Sequence, residues 1–526
     1  MRSWWRRPCS CSTCSAKSRR RQTRRGSCWI CRHADPPRGA RPARADNFSP
    51  VGTSVASACR RSQDEAILIS RIRARTSMNL IGRASVTDEV RLRVYNRIAW
   101  RFLPLLLLGY LFANIDRVNV AFAKLQMSGA IGLTEAMYGF GAGIFFISYA
   151  LTEIPSNMIL HRVGARLWLA RIMIVWGLIS AATMFVQTPV QFYSIRFVLG
   201  IAEAGFYPGA LLFMTYWFPS RLRAQAIAVM ILGSTLASMI GSPLSGAIMG
   251  YMNGLAGLAG WQWVFVIEGL PATILGIVLI VRLRNGPADA EWLDADEKAL
   301  VIADLAAEAQ AHIHAGRHRF SSAFRNPNIW CVIVANFANL STLYGIQFWL
   351  PTVIQKLGGT SVFSTGLIAA GLALIPCFVL FANARHSDRT RERRWHATFG
   401  FALSAAGLYL AGASNGNVYF TLMGLVMASS GQVICSNTIF TLPGTFVTGA
   451  AAAAGFALIT TLGNLAGYTM PYLFGVLRES TGGFSAGFYA MAAVALVGAV
   501  AILVTPALRR EGRGGAGEEE ALAIGA

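Results

Sequence analysis

Apolar runs long enough to cross a bilayer constrain this chain more than any other feature. A hydrocarbon core about 30 Å thick needs roughly 20 apolar residues per helical crossing. Runs of that length recur at approximately 102–123, 138–160, 168–186, 191–217, 225–250 and 263–282. They recur again at approximately 328–350, 364–383, 396–413, 418–440, 452–476 and 485–507. Irregular backbone and open sheet edges cannot face lipid, because their N–H and C=O groups would find no partner, so each run is expected to be a helix. With 54% hydrophobic and 14% charged residues, the composition agrees with an all-α membrane protein of twelve transmembrane helices.

Lysine and arginine in the short loops orient the bundle. With a cytoplasmic N-terminus, the inner loops hold Arg162, Arg166, Arg171, Arg221, Arg223, Arg385, Arg389, Arg391, Arg393 and Arg394. The outer loops then hold Lys124, Lys356 and Arg478. The positive-inside rule therefore places both termini in the cytoplasm. Of the formal charge of +22, residues 1–77 supply +14 through 18 Lys/Arg against 4 Asp/Glu. The remaining excess sits where topology wants it, so the basic balance is no nucleic-acid footprint and no nucleic-acid partner is expected.

Residues 1–77 read as a disordered Arg- and Cys-rich leader or a mis-assigned start, with Met78 as the alternative beginning. The spacing Cys11-x2-Cys14-x13-Cys28-x2-Cys31 has zinc-ribbon form, yet the segment between has no apolar residue beyond one alanine from which to build a knuckle core. The leader is also rich in arginine and serine like a transit peptide, but it lacks an amphipathic repeat. No cleavable secretory signal precedes the first span. His312, His314 and His318 lie in a polar linker where solvated surface is the expectation, and no apolar span carries an imidazole pair. No nucleophile motif, phosphate loop or dinucleotide fingerprint stands out, so neither an enzyme nor a metal or cofactor is expected.

A polar interval from Arg282 to Asn328 divides the spans six and six. Its middle, about 294–310, reads as an amphipathic cytoplasmic helix. The halves echo each other. Arg162-x3-Arg166-x-Trp168 returns as Arg389-x3-Arg393-x-Trp395, an offset of 227, and the prolines of GSPLSG and GYTMPYLFG, Pro243 and Pro471, are offset by 228. The organisation expected is a six-helix bundle over 90–282, a linker over 283–327, a second bundle over 328–508 and a disordered tail over 509–526. Duplicated halves joined in this way suit rocking about a midplane site. Glycines at 233, 241, 246 and 250, and at 455, 463, 467 and 475, allow close helix approach.

Ionisable residues inside apolar spans cost at least about 2.5–3.5 kcal/mol each on the mildest scale, so they need a partner or a job. The first span carries Asp116 and Arg117, the second Glu153, the fourth Arg196 and Glu203, and the sixth Glu268. Arg196 and Glu203 are seven apart and share one helix face, whereas Asp116 and Arg117 point about 100° apart and address different partners. One reading is a pair of structural ion pairs, Asp116 with Arg196 and Arg117 with Glu203. The other uses the same groups in transport: two guanidiniums form a fork for a carboxylate substrate, and two desolvated carboxylates carry protons. Glu153 and Glu268, near the breaks in TEIPSN and IEGLPA, read more as structural groups bonding freed backbone or loop arginines. Tyr149, Phe206, Tyr207, Tyr344 and Trp349 would suit an aromatic acid if they faced a cavity, although aromatics at such spacing more often pack.

The segments NIDRVNVAF, YALTEIPSNMILHRVGARLW, RFVLGIAEAGFYPGALLFMTYWFP, GWQWVFVIEGLPA, SDRTRERRWH and AAAAGFALITTLGNLAGY resemble the anion:cation symporter family of the major facilitator superfamily. They are most similar to its bacterial tartrate, phthalate and hydroxyphenylacetate permeases, over about residues 90–508. That resemblance implies the two-bundle fold of the superfamily in an inner (plasma) membrane. It implies proton-coupled uptake of a small organic anion by alternating access, with protons and lipid as the other partners, and a monomer. By position it implies proton coupling at Asp116 and Glu203, anion contact by Arg117 and Arg196, and cavity roles for Tyr149 and for Asn464 of the GN motif. One departure is His161 where the first inner-loop motif often has an aspartate; the second copy keeps Asp388. Proton-driven efflux of amphipathic compounds on the same fold is the nearest alternative, and a transporter-like receptor a more distant one, since the loops here are too short for an added domain.

Overall fold

The computed structural model describes residues 52–314, 325–390, 392–439, 442 and 449–506, with side chains left out at 52–87, 309–314, 384, 387–390 and 449–454. The possible zinc ribbon, the linker from 315 to 324 with His318, the side chains of His312, His314, Asp388 and Arg389, and the tail from 509 therefore lie outside the described residues. The chain divides into two units at Asn96 and Arg97, and the account below concerns the second.

Among the described residues the regular structure is all helical. Helix α1 runs Gly52–Ile131, α2 Glu135–Val163, α3 Ala165–Ala182, α4 Pro189–Glu203, α5 Phe206–Thr215, α6 Ser220–Tyr251, α7 Gly260–Arg282 and α8 Ala295–His314. Then follow α9 Pro327–Gly358, α10 Val362–Thr390, α11 Arg394–Ala413, α12 Val418–Ile439, α13 Gly449–Asn464, α14 Ala466–Thr481 and α15 Ser485–Val504. Among the described residues ten helices are long and apolar enough to cross a membrane. The runs expected near 396–413 and 452–476 fall outside those ten and fold as α11 and as the broken pair α13–α14.

Local chemistry places the breaks. Thr134 caps α2 by accepting from the Met137 N–H at 3.2 Å, and Thr188 caps α4 just before Pro189. Between α4 and α5 the expected single span is bent at Gly205, whose φ of +92° is a left-handed conformation that a side chain resists. The Ala204 carbonyl freed by the bend accepts from Ser156 Oγ of α2 at 2.7 Å. Glu203 thus ends α4 at a fixed point against α2.

Two sequence expectations change at α1. The helix runs back to Gly52, through part of the leader for which no structure was expected. It also continues past 123, so Lys124, expected in an outer loop, is a buried helical residue.

The sequence repeat has a structural counterpart. In the first half α3 packs on α7 and α2 on α4, and in the second half α11 packs on α15 and α10 on α12. The halves meet where the repeated prolines lie. Helix α6 packs on α10, where a Cβ at Gly366 would lie 3.2 Å from Pro243 Cα; α14 packs on α2, where a Cβ at Gly139 would lie 3.0 Å from the Pro471 carbonyl carbon. The α8 linker helix, expected near 294–310, is tied to the first half through Arg97–Glu297 at 2.9 Å and Arg223–Glu308 at 2.6 Å.

Candidate functional site

One turn of α1 sends its two adjacent charges to different helices. Asp116, 2% exposed, accepts from Ser180 Oγ of α3 and, at 3.2 Å, from Asn119 Nδ2 one turn along its own helix. Arg117 instead reaches α4, where its Nη2 donates to Glu203 Oε1 at 2.5 Å in an ion pair whose carboxylate is 1% exposed. Their angular separation on the helix makes this division possible.

Of the two ion pairs weighed from sequence, the structure forms Arg117–Glu203 and replaces the other. Asp116 Oδ1 accepts from a hydroxyl and an amide while its Oδ2 is buried without a partner, and Arg196, 1% exposed, has its Nε and Nη2 donors buried without an acceptor. The Arg196 guanidinium lies over the Phe145 ring at 4.9 Å, and Arg117 approaches the same ring at 5.7 Å and Tyr149 at 5.8 Å. Phe145 and Tyr149 of α2, whose centroids are 5.9 Å apart, therefore hold two cations against one aromatic wall.

That arrangement can do specific chemistry. A buried guanidinium lacking acceptors favours an anion strongly, because each unsatisfied donor loses its hydration without compensation. A carboxylate presented to Arg196 and Arg117 would complete planar, charge-assisted hydrogen bonds. It would also compete with Glu203 for Arg117.

The other sequence-derived residues separate. Tyr149 is buried beside Arg117 as described. Asn464 ends α13 at its break with α14; no hydrogen bond joins it to the four charges among the described residues, although Gly467, three residues on, packs against Phe146 beside Phe145. Phe206 packs on Trp176 and Trp349 stacks on Phe474, so both belong to packing, while Tyr207 lies 5.2 Å from Tyr110 and Tyr344 4.4 Å from Phe146. Glu268 bonds neither freed backbone nor a loop arginine; it accepts from Ser245 Oγ of α6 at 2.7 Å.

Ser180 and Asn119 escaped the sequence reading, and the sequence places Lys124 in a loop. Asn119 was legible as an i+3 neighbour of Asp116, whereas a serine in an apolar span gives no such signal. Lys124 Nζ pairs with Glu135 at 2.5 Å and lies over the Trp349 ring at 3.7 Å, and Arg478 of α14 takes the other Glu135 oxygen at 2.9 Å. This charge cluster links the halves beside the α2–α14 contact.

Comparison with known proteins bears on this geometry. Residues 106–471 match the model of the Major Facilitator Superfamily. The chain is 42% identical over 414 residues to NicT of Pseudomonas putida, a candidate metabolite transport protein, covering 79% of this chain and 94% of that one. It is 40% identical over 420 residues to a candidate tartrate transporter of Agrobacterium vitis, covering 80% and 92%. It is 37% identical over 407 residues to a quinolone resistance transporter of Acinetobacter baumannii, covering 77% and 93%. Among solved structures, the inward-facing, occupied form of a bacterial homologue of the human lysosomal transporter Spinster matches 78% of this chain and 96% of its own with a TM-score of 0.63, at 18% identity.

Proposed function

Since the chain belongs to the Major Facilitator Superfamily, we propose that it is a proton-coupled secondary transporter that imports a small organic anion by alternating access. The twelve apolar runs are its crossings, both termini face the cytoplasm, and the protein works as a monomer in the inner membrane. The observation that carries the anion reading is Arg196, buried with unsatisfied donors beside an arginine already paired to a carboxylate.

The cycle follows from that charge arrangement. Protonation of Glu203 and Asp116 from the outer side breaks the Arg117–Glu203 pair and leaves two guanidiniums to clamp a carboxylate. The bound carboxylate offsets charge on the two guanidiniums, so the loaded cavity can close and reopen inward, while an unloaded cavity with two bare cations crosses less easily. On the inner side deprotonation restores the Arg117–Glu203 pair and displaces the anion. Tyr149 shapes the wall against which the substrate lies, and Asn464 is the residue the second half would contribute to the cavity.

The named relatives support a carboxylate such as tartrate, a sugar acid or an aromatic acid. The similarity to a quinolone resistance transporter favours a second reading, proton-driven efflux of an amphipathic compound through the same cavity. Thermal-shift and uptake screening against tartrate, sugar acids, phthalate and hydroxyphenylacetate tests the first reading. Concentrative uptake of one of these acids is expected. If none binds and a deletion strain becomes sensitive to amphipathic drugs, efflux is the function.

A further inference from the structure

The two halves are joined at one end by charged groups that the cycle above does not use. Helix α2 begins at Glu135 and α14 ends at Thr481. Glycines let these helices approach closely: a Cβ at Gly475 would lie 3.1 Å from Ala136 Cα, and one at Gly143 2.9 Å from Tyr468 Cα. Where the helices end, two consecutive residues of α14 hold two consecutive residues of α2. Arg478 Nε pairs with Glu135 Oε1 at 2.9 Å, and Glu479 Oε2 accepts from the Ala136 N–H at 2.9 Å. The other seam between the halves closes at the same end, where a Cβ at Gly246 near the end of α6 would lie 2.9 Å from the Val362 carbonyl oxygen at the start of α10.

The bond to Glu479 meets a specific need of α2. The first N–H groups of a helix have no acceptor within it. Thr134 serves the Met137 N–H from the same half, whereas the Ala136 N–H is served from the other half. The Glu479 carboxylate also lies at the positive end of α2, and Arg478 occupies the last turn of α14, its negative end. Two further contacts cross beside them. Lys124 Nζ, bound to Glu135 Oε2 at 2.5 Å, lies over the Trp349 ring at 3.7 Å, and Tyr138 Oη donates to the Phe348 carbonyl at 3.2 Å.

This junction can part at low cost. If Arg478 withdraws, Glu135 keeps Lys124 as its counter-ion and Arg478 keeps the Phe484 ring, 3.7 Å away. The Ala136 N–H, at the exposed end of α2, turns to water. No charge is left buried and bare, which is the outcome that would make opening prohibitive.

We propose that Arg478 and Glu479 of α14, closing on Glu135 and the Ala136 N–H of α2, are the outer latch of the transporter. The latch is shut in this structure and parts when the cavity opens outward. The inference rests on the alternating-access reading and on the topology that puts this end outside. It assigns the holding of the closed outer face to two adjacent residues remote from the arginine pair.

Distances between paramagnetic labels test it on the full chain in lipid nanodiscs, without substrate or gradient. One pair of labels, carried on noncanonical residues at Gly129 and Gly483, where a Cβ meets nothing within 4 Å, reads the outer end. A second pair at Leu167 and Trp395, exposed at the starts of α3 and α11, reads the inner end. Arg478→Gln is expected to raise the ratio of long to short outer distances by about fivefold, and Arg478→Gln with Glu479→Ala by more, while the inner distances shorten. Arg478→Lys, which keeps the cation, should restore most of the short outer population. Outer and inner distances that stay as in the wild type in the double variant would overturn the latch. So would an outer end that loosens with no change inside, which is fraying, or a double variant that does not fold. Distances that shift as expected support the latch even if no acid is taken up, in which case the import reading alone fails.

Discussion

The two halves share a helix plan but differ in what they bury. Asp116, Lys124, Arg196, Glu203 and Glu268 are the charged side chains buried among the described residues, and all lie in the first half. The second half buries Asn336, Asn339, Gln432 and a series of serines and threonines, none of them ionisable. Two of its amides donate within that half: Asn336 Nδ2 to the Ile459 carbonyl at 3.0 Å, and Asn339 Nδ2 to Ser436 Oγ at 2.8 Å, while the Oδ1 of each is buried without a partner. One half thus buries ionisable groups. The other carries a neutral, hydrogen-bonded wall. In the proposed cycle the repeated helix plan is the scaffold, and the coupling chemistry falls in the half that buries the charges.

The sharpest way to break this contrast is to remove one member of the charged pair. Arg117→Ala leaves Glu203 buried without its cation, which should cost about 3–5 kcal/mol and abolish uptake, measured by thermal melting and proteoliposome transport. A melt close to wild type would mean that the pair is not buried in the membrane-embedded protein. Next in size is the contact between halves. A leucine at Gly143, where even a Cβ would stand 2.9 Å from Tyr468 Cα, should cost about 1–3 kcal/mol through overpacking and slow uptake more than it weakens substrate binding.

In the second half, Asn336→Ala should cost about 0.5–1.5 kcal/mol by removing its hydrogen bond to the Ile459 carbonyl, yet leave the dependence of uptake on the pH gradient unchanged. Loss of that dependence would erase the distinction between the halves. The smallest effect is expected at Arg223–Glu308, partly exposed at the linker, where Glu308→Gln should change stability by about 1 kcal/mol or less and less still at high salt.

Much of this could be read from sequence because lipid simplifies the problem. Apolar run length marked the spans, and the cost of an intramembrane charge singled out Asp116, Arg117, Arg196 and Glu203 before any geometry was known. Spacing also separated the directions of Asp116 and Arg117. The partner choice was not legible. Whether Asp116 would meet Arg196 or Ser180 depends on how α3 and α4 pack around α1, and a serine carries no pattern that announces it. The bend at Gly205 hid within an unbroken apolar run, since glycine serves equally for close packing and for positive φ. Lys124 was misplaced because α1 extends beyond its apolar stretch, carrying the amine under Trp349 and Tyr138 rather than into a loop.

The central claim is that the buried charges of the first half tie anion movement to proton movement. It is tested most directly by uptake into proteoliposomes of whichever acid in the panel most raises the melting temperature, with and without an imposed pH gradient, for the wild type and Asp116→Asn. The account predicts gradient-driven accumulation by the wild type, and in the variant exchange of internal for external acid that no longer responds to the gradient. Accumulation by Asp116→Asn that still follows the pH gradient in full would contradict it.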